Sequence, residues 1–226
     1  VVIVTPSVYG TDNSATLFGM KARGADARGV AVIGEKTTDG DLDALQKAGV
    51  RGIRVNLATG GTNDPTIGRQ RFLTAVDRMK SRGMHVQVYT LLPMVAAIKA
   101  DLAASPVPVV FDHFGGAEAR LGTGQPGFAD LVELVRSGKV YVKISGAYRA
   151  STQGPDYADV IPFAKAPPPV ATPDRIQAEA AELRTGVTEA MMSGRYGYAP
   201  WTFWPAKTDD YIEGGIEQVW LKQITP

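Results

Sequence analysis

The sequence predicts an α/β fold of the (β/α)8 barrel type, with fewer units than a closed barrel needs. Short apolar runs rich in β-branched residues recur at intervals of about 22 to 33 residues, the length of a strand, a crossover helix and two loops. Amphipathic stretches that end close to a glycine separate these runs. Strands that alternate with helices in this way favour a parallel sheet that is buried on both faces.

The predicted strands lie in the first two thirds of the 226-residue chain. They cover residues 1–4, 30–33, 53–57, 86–89, 107–111 and 140–144. The predicted helices between them cover residues 41–48, 69–82 and 128–135. In each helix the apolar residues lie three or four positions apart, which indicates one buried face.

An open, doubly wound sheet satisfies the same alternation of strands and helices. Of the phosphate-binding loops typical of nucleotide-binding open sheets, no GxGxxG directly follows a predicted strand, and GxxxxGK[ST] is absent from the sequence. We therefore favour the TIM-type barrel, although six units fall short of eight. The chain opens inside an apolar run at Val1, without a start Met. We expect an incomplete barrel that lacks its first strand.

Residues 1–166 are predicted to hold the βα units, and the pattern changes in residues 167–226. A Pro-rich junction at 167–173 is followed by a predicted helix at 176–192 and by an aromatic segment that holds all three tryptophans. The segment at 196–226 weakly resembles the C-terminal part of extracytoplasmic sugar-binding proteins of transporters. A truncated, rearranged or fused chain would explain the change, and the aromatic rings could instead cap an open barrel end.

Composition excludes several classes of function. The 24 basic and 23 acidic residues leave a net charge of +1, which predicts neither nucleic-acid binding nor attachment to a membrane surface. No apolar run approaches the roughly 20 residues that cross a bilayer. The absence of cysteine excludes disulfides and thiolate metal sites and fits a cytoplasmic location.

Polar side chains interrupt or follow the predicted strands near their C-terminal ends, where parallel α/β folds place their active sites. They are Ser7 after the first strand, Arg54 and Asn56 in the third, Gln87 in the fourth, and Lys143, Tyr148 and Arg149 in or after the sixth. Strands also end in polar residues simply because they reach the surface. Arg54, Gln87 and Lys143 lie inside apolar runs, however, where an unpaired polar group is costly, so we favour a functional interpretation.

If the cations Arg54, Lys143 and Arg149 converge, they form a pocket for a small carboxylated molecule, because guanidinium groups bind carboxylates in bidentate fashion. Ordinary ion pairs with Asp112 or Asp156 are the alternative.

His113 is the strongest single candidate for a catalytic residue. It follows the fifth apolar run and precedes Gly115-Gly116, which predicts a position at a strand end. A buried structural histidine remains the alternative. His85 begins its strand at the opposite end and is interpreted as structural, and Asp12-Asn13 is interpreted as the start of a helix. With two histidines, the chain alone cannot build a three-histidine zinc site.

Six stretches carry a resemblance to a known family by their order and spacing. They are residues 5–13, 27–31, 48–56, 85–87, 111–116 and 142–149. Together they resemble the amidohydrolase superfamily, in the branch of 2-pyrone-4,6-dicarboxylate lactonase-like TIM-barrel hydrolases. The resemblance implies hydrolysis of a lactone or related carbonyl bond in a small carboxylated substrate.

The resemblance also implies roles for individual residues. His113 would polarise the substrate carbonyl or bind a divalent metal, Zn or Mn, if the protein uses one. Ser7, Arg54, Tyr148 and Arg149 would contact substrate carboxylates while a water attacks the carbonyl.

Two parts of the family pattern are missing. The His-x-His strand would precede Val1, and Phe203 stands where the last strand of the family carries an aspartate. If the chain is complete, we expect weak or absent hydrolysis.

Two further hypotheses remain open at this point. The chain could be a non-catalytic sugar-binding protein whose aromatic tail stacks on sugar rings, or a truncated or chimeric barrel without activity. An incomplete barrel would leave two sheet edges unpaired, so we expect self-association through them.

Overall fold

The computed structural model describes residues 1–59 and 64–166. Its strands form one parallel sheet. They are β1 (Val2–Val4), β2 (Arg28–Ala31), β3 (Val50–Asn56), β4 (His85–Tyr89), β5 (Val109–Phe111) and β6 (Val140–Val142). Their spatial order β1-β2-β3-β4-β5-β6 follows the chain, and every neighbouring pair is parallel.

This sequential order distinguishes the two architectures that the sequence allowed. A doubly wound sheet reverses its strand order at a switch point, whereas a barrel wall adds each strand beside the last. The described strands form a curled half-barrel, so the prediction of an incomplete TIM-type barrel is confirmed. That the first strand of the barrel is missing stays a prediction. The changed segment at 167–226, its predicted helix and the domain boundary after 166 lie outside the described residues.

Helices connect the strands. They are α1 (Ser14–Arg23), α2 (Asp39–Lys47), α3 (Pro65–Lys80), α4 (Leu92–Ala97), α5 (Lys99–Ala103), α6 (Phe128–Arg136), α7 (Ala147–Ala150) and α8 (Ile161–Lys165). Short 3₁₀ turns lie at Ser7–Tyr9, Gly24–Asp26, His113–Gly116, Ala119–Leu121 and Ala158–Val160. No helix in the described ranges combines the length and the apolar character that crossing a membrane requires.

The three predicted helices are α2, α3 and α6, and two of them start earlier than predicted because of their caps. Thr38 and Asp41 form a reciprocal capping box that starts α2 at Asp39. Asp64 accepts a hydrogen bond from the backbone of Thr66, which starts α3 at Pro65. The interpretation of Asp12 as part of a helix start is also confirmed, because its carboxylate accepts the Ser14 N–H at the first residue of α1.

Strand register explains why polar residues interrupt apolar runs. The apolar rows Ile53–Val86–Val109–Val140 and Val55–Val88–Phe111–Val142 run across β3 to β6. Between them, Arg54 pairs with Gln87. Successive strand residues point to opposite faces, so Arg54 and Gln87 point to the face of the sheet opposite the apolar rows. The sheet thereby buries its apolar rows among the helices and collects polar groups on its other face.

The turn after β5 has an uncommon backbone. His113, Phe114, Gly115 and Gly116 all have positive φ angles, of 46°, 55°, 68° and 77°, and non-glycine residues rarely adopt this conformation. A Cβ added at Gly116 would lie 2.2 Å from the carbonyl oxygen of Thr90, so the turn packs directly on the end of β4. The Phe114 N–H donates to the carbonyl of Lys143 at 3.0 Å, which ties the turn to the end of β6. His113 is therefore held between the ends of β4 and β6, the two strands that flank β5.

Candidate active site

Three of the predicted residues converge on one carboxylate, that of Asp112 at the end of β5. Arg54 Nε donates to Asp112 Oδ2 at 2.7 Å. Gln87 Nε2 and Lys143 Nζ donate to Oδ1 at 2.8 and 3.0 Å. The side chains of Asp112 and Arg54 are 2% and 8% exposed. Arg54 and Lys143 thus come together on Asp112, and they form the ion pairs that were weighed as the alternative to a binding pocket.

Ser7 joins this group from the loop after β1. Its hydroxyl oxygen accepts hydrogen bonds from Arg54 Nη1 at 2.8 Å and from Asn56 Nδ2 at 2.7 Å. The exposed Ser7 thereby links the buried Arg54 to the surface at the C-terminal ends of the strands. The structure brings these three predicted residues together.

Tyr89, at the end of β4, is a residue to which the sequence analysis gave no role. The guanidinium carbons of Arg54 and Arg149 lie 5.3 and 5.5 Å from the centre of its ring. Arg149 Nη1 also donates to the Tyr89 hydroxyl at 3.1 Å. The ring of Tyr148 lies 5.3 Å from the same Arg149 carbon. Arg149 and Tyr148 therefore reach the site through Tyr89.

His113 lies edge-on to Tyr89, with ring centroids 5.3 Å apart. Its Nδ1 is 3.3 Å from the carbonyl oxygen of Ser145 and 3.2 Å from the Ser145 hydroxyl. A carbonyl oxygen can only accept, so the tautomer with the proton on Nδ1 satisfies both contacts and leaves the lone pair on Nε2. Like Tyr89, Ser145 is a polar residue at a strand end to which the sequence analysis gave no individual role. Its position after β6 is the one signal that could have found it.

Burial lowers the pKa of His113 from 6.5, and the positive charges of Arg149 and Lys143 act in the same direction, although Asp112 opposes them. The imidazole is therefore neutral at pH 7. For Asp112, burial acts to raise the pKa, but Lys143 and Arg54 outweigh it and hold the pKa below 3.8. The carboxylate is charged at pH 7. The site thus holds three cations, Arg54, Lys143 and Arg149, and one carboxylate, Asp112, which leaves an excess of positive charge.

A divalent metal does not fit the described part of the site. No group of three or more potential His, Asp or Glu ligands lies together in residues 1–59 and 64–166. Both oxygens of Asp112, the carboxylate beside His113, accept hydrogen bonds from protein donors. We therefore derive no catalytic step through a metal on His113. His85 lies at the start of β4 and makes none of the hydrogen bonds of the site, and a Cβ added at Gly52 would lie 2.3 Å from its ring, so this histidine packs on the sheet.

We expect the free energy of unfolding to fall as the pH drops below about 6.5, the ordinary pKa of histidine. Burial lowers the pKa of both His85 and His113 in the folded chain. Between the folded and unfolded pKa values the unfolded chain binds more protons, so stability rises with pH across this window. Urea unfolding at pH 7.5, 6.5 and 5.5 measures the effect. The double variant His85→Gln/His113→Gln should show a flatter dependence, and an equally steep one would contradict the assignment to these histidines.

A parallel barrel wall with a histidine and a group of cations at the C-terminal ends of its strands defines a β/α-barrel protein with a positively charged mouth. Comparison with known proteins then gives the family: the amidohydrolase family model matches residues 1–182, and the chain belongs to that family. The resemblance found in the sequence is confirmed.

Two relatives show which branch the chain is similar to. It is 30% identical over 173 residues to a 2-pyrone-4,6-dicarboxylate hydrolase of Comamonas testosteroni, covering 73% of this chain and 56% of the relative. It is 30% identical over 180 residues to a 4-sulfomuconolactone hydrolase of Hydrogenophaga intermedia, covering 77% and 57%. The chain thus spans less than two thirds of the length of these relatives.

A crystal structure shows the same likeness in three dimensions. The protein comes from Acinetobacter baumannii, is assigned as a 2-pyrone-4,6-dicarboxylic acid hydrolase and has citric acid bound. It superposes with a TM-score of 0.62 at 25% identity, covering 73% of this chain and 60% of that protein.

Proposed function

We propose that this chain carries the substrate-binding residues and the general base of an amidohydrolase that hydrolyses a lactone bond in a small carboxylated molecule. The observation that carries the proposal is the grouping of Arg54, Arg149 and His113 around the ring of Tyr89. The names of the similar hydrolases from C. testosteroni and H. intermedia support a lactone as the substrate class. The dicarboxylate in the first name supports carboxylate groups on that substrate. Citric acid in the A. baumannii protein supports the same preference for carboxylates.

In this proposal the cations bind and orient the substrate. Arg54 and Arg149 present guanidinium groups to its carboxylates, and Lys143 adds positive charge beside them. Ser7 and Asn56 position the exposed end of Arg54, while Gln87 occupies one oxygen of Asp112. Tyr148 lies against Arg149 and lines the same mouth.

His113 then acts as the proton acceptor. The resemblance implied that this histidine polarises the carbonyl, but the tautomer favoured by Ser145 leaves Nε2 with a lone pair. Nε2 takes a proton from water as the water oxygen bonds to the carbonyl carbon, and the cations stabilise the oxyanion that forms. The ring C–O bond breaks next, and the proton on Nε2 passes to the released oxygen.

The test is hydrolysis of 2-pyrone-4,6-dicarboxylate by the full chain, with and without added Zn²⁺ or Mn²⁺. We expect His113→Ala to lower turnover by about 10²–10⁴-fold, the usual contribution of a general base. His85→Ala is the control, since the His85 ring packs over Gly52 and makes none of the hydrogen bonds of the site, and it should retain turnover. Undiminished turnover by His113→Ala would refute the mechanism. An inactive unaltered chain under all conditions would refute the activity.

The sugar-binding alternative is not favoured, because the family match extends over residues 1–182 and the similar proteins act on lactones. The aromatic tail on which that alternative depends lies outside the described residues. Cytoplasmic location and self-association through the edges of β1 and β6 stay predictions. Sedimentation of the purified chain measures its self-association.

A further inference from the structure

Asp112 is the most completely occupied side chain of the site. Its oxygens accept from Arg54 on β3, from Gln87 on β4 and from Lys143, which follows β6. The residue itself follows β5, so one buried carboxylate contacts groups from all three other strands in this part of the sheet. With both oxygens engaged and a pKa held below 3.8 by Lys143 and Arg54 despite burial, Asp112 is poorly suited to accept a proton from water.

Arg54 shows what these contacts do. An arginine side chain has several rotatable bonds, and it binds an anion well only when its planar group is already oriented. Two anchors orient Arg54, because Nε donates to Asp112 and Nη1 donates to Ser7. Its guanidinium carbon lies 5.3 Å from the centre of the Tyr89 ring, beside Arg149.

We propose that Asp112 is a positioning residue, which holds Arg54 and Lys143 in their binding orientation before the carboxylated ligand arrives. The inference rests on the proposed function, since it assumes that these cations bind substrate carboxylates. It makes Asp112 part of the anion site although the residue is itself an anion.

The direction in which anion affinity changes when Asp112 is removed distinguishes this role from simple charge balance. As a mere countercharge, Asp112 would cancel one positive charge, and its removal would tighten the binding of an anion. As a positioning residue it improves anion binding, so its removal weakens that binding. A purely structural role would change stability and leave the affinity of the folded protein as it was.

The experiment measures citrate binding to the full chain by calorimetry. Citrate is the probe because it is a carboxylate that the A. baumannii relative holds. Asp112→Asn should raise the Kd at least about tenfold, and Arg54→Lys should do likewise. The Kd of the double variant Asp112→Asn/Arg54→Lys should exceed the Kd of the single variant that binds citrate more weakly by no more than about twofold. The reason is that the effects of residues that act through one another are not additive. Asp101→Asn is the control, since Asp101 pairs with the exposed Arg69 and with none of the site residues.

Three results would overturn the inference: unchanged or tighter citrate binding by folded Asp112→Asn, single effects that multiply in the double variant, or no citrate binding by the unaltered chain. Citrate binding without lactone hydrolysis would refute the proposed hydrolase alone and leave the positioning role standing.

A second measurement does not require Asp112→Asn to fold. In the unaltered chain, the Nε proton of Arg54 should exchange slowly with water in ¹⁵N NMR spectra, because Asp112 accepts it in a buried position. The Nε–H resonance of Arg54 is assigned as the one that is absent from the spectrum of Arg54→Lys. Slow exchange already present without citrate supports positioning in advance of the ligand. Fast exchange that slows only when citrate is added would overturn it.

Discussion

Replacing Gly146 with alanine should reduce lactone hydrolysis by about 100-fold, the loss typical of a misplacement of roughly 1 Å at a reacting group. Gly146 follows Ser145, and a Cβ added there would lie 2.6 Å from His113 Nδ1. The imidazole would have to move away from the contacts that orient it. Steady-state hydrolysis of 2-pyrone-4,6-dicarboxylate by Gly146→Ala measures the loss, which we expect mainly in kcat because Arg54 and Arg149 remain in place.

The chain offers a matched control for the backbone strain of this substitution. Gly146 has a φ of +63°, and so does Gly83, where an added Cβ would meet nothing within 4 Å. Alanine at either position accepts a left-handed conformation at a cost of about 1–2 kcal/mol in stability. Only Gly146→Ala should also lose activity. Equal losses of hydrolysis in the two variants would show that backbone strain, and not the position of His113, is responsible.

The barrel wall was predictable because its signal is local in the sequence. Each apolar run and each amphipathic stretch is contiguous, and their repeated lengths predict consecutive parallel strands. The convergence of strand-end side chains was predictable for the same reason, since parallel strands place their C-terminal ends on one edge of the sheet.

Strand boundaries were less predictable, because tertiary contacts decide them. The second predicted strand extends to residue 33, but β2 ends at Ala31, since the side chain of Asn13 bonds both the N–H and the carbonyl of Val32. The fifth predicted strand begins at residue 107, but β5 begins at Val109. Pro108 has no N–H to donate to a neighbouring strand.

The individual contacts of the site lay beyond sequence reasoning. Arg54 and Asp112 are 58 positions apart, and nothing local indicates that one carboxylate would collect Arg54, Gln87 and Lys143 together. Tyr89 and Ser145 are ordinary residues in their own segments. They gain a role only because register and the left-handed turn after β5 place Arg149 and His113 against them.

Arg54→Met should destabilise the chain by about 3 kcal/mol, because removing one partner of a buried ion pair leaves the other charge buried and poorly compensated. Asp112 would retain Lys143 and Gln87, but its Oδ2 would lose its donor. Methionine preserves most of the apolar stem, so lost packing contributes little. Urea unfolding at pH 7.5 measures the change.

Arg69→Met is the control for burial, because both arginines donate Nε to an aspartate at 2.7 Å. The side chains of Arg69 and Asp101 are 57% and 19% exposed, against 8% and 2% for Arg54 and Asp112. Water can replace the lost partner at the exposed pair, so Arg69→Met should cost far less stability. Similar losses in the two variants would mean that burial does not set the strength of the Arg54–Asp112 pair. The low exposure of Asp112 would then not explain why the site keeps three donors on one carboxylate.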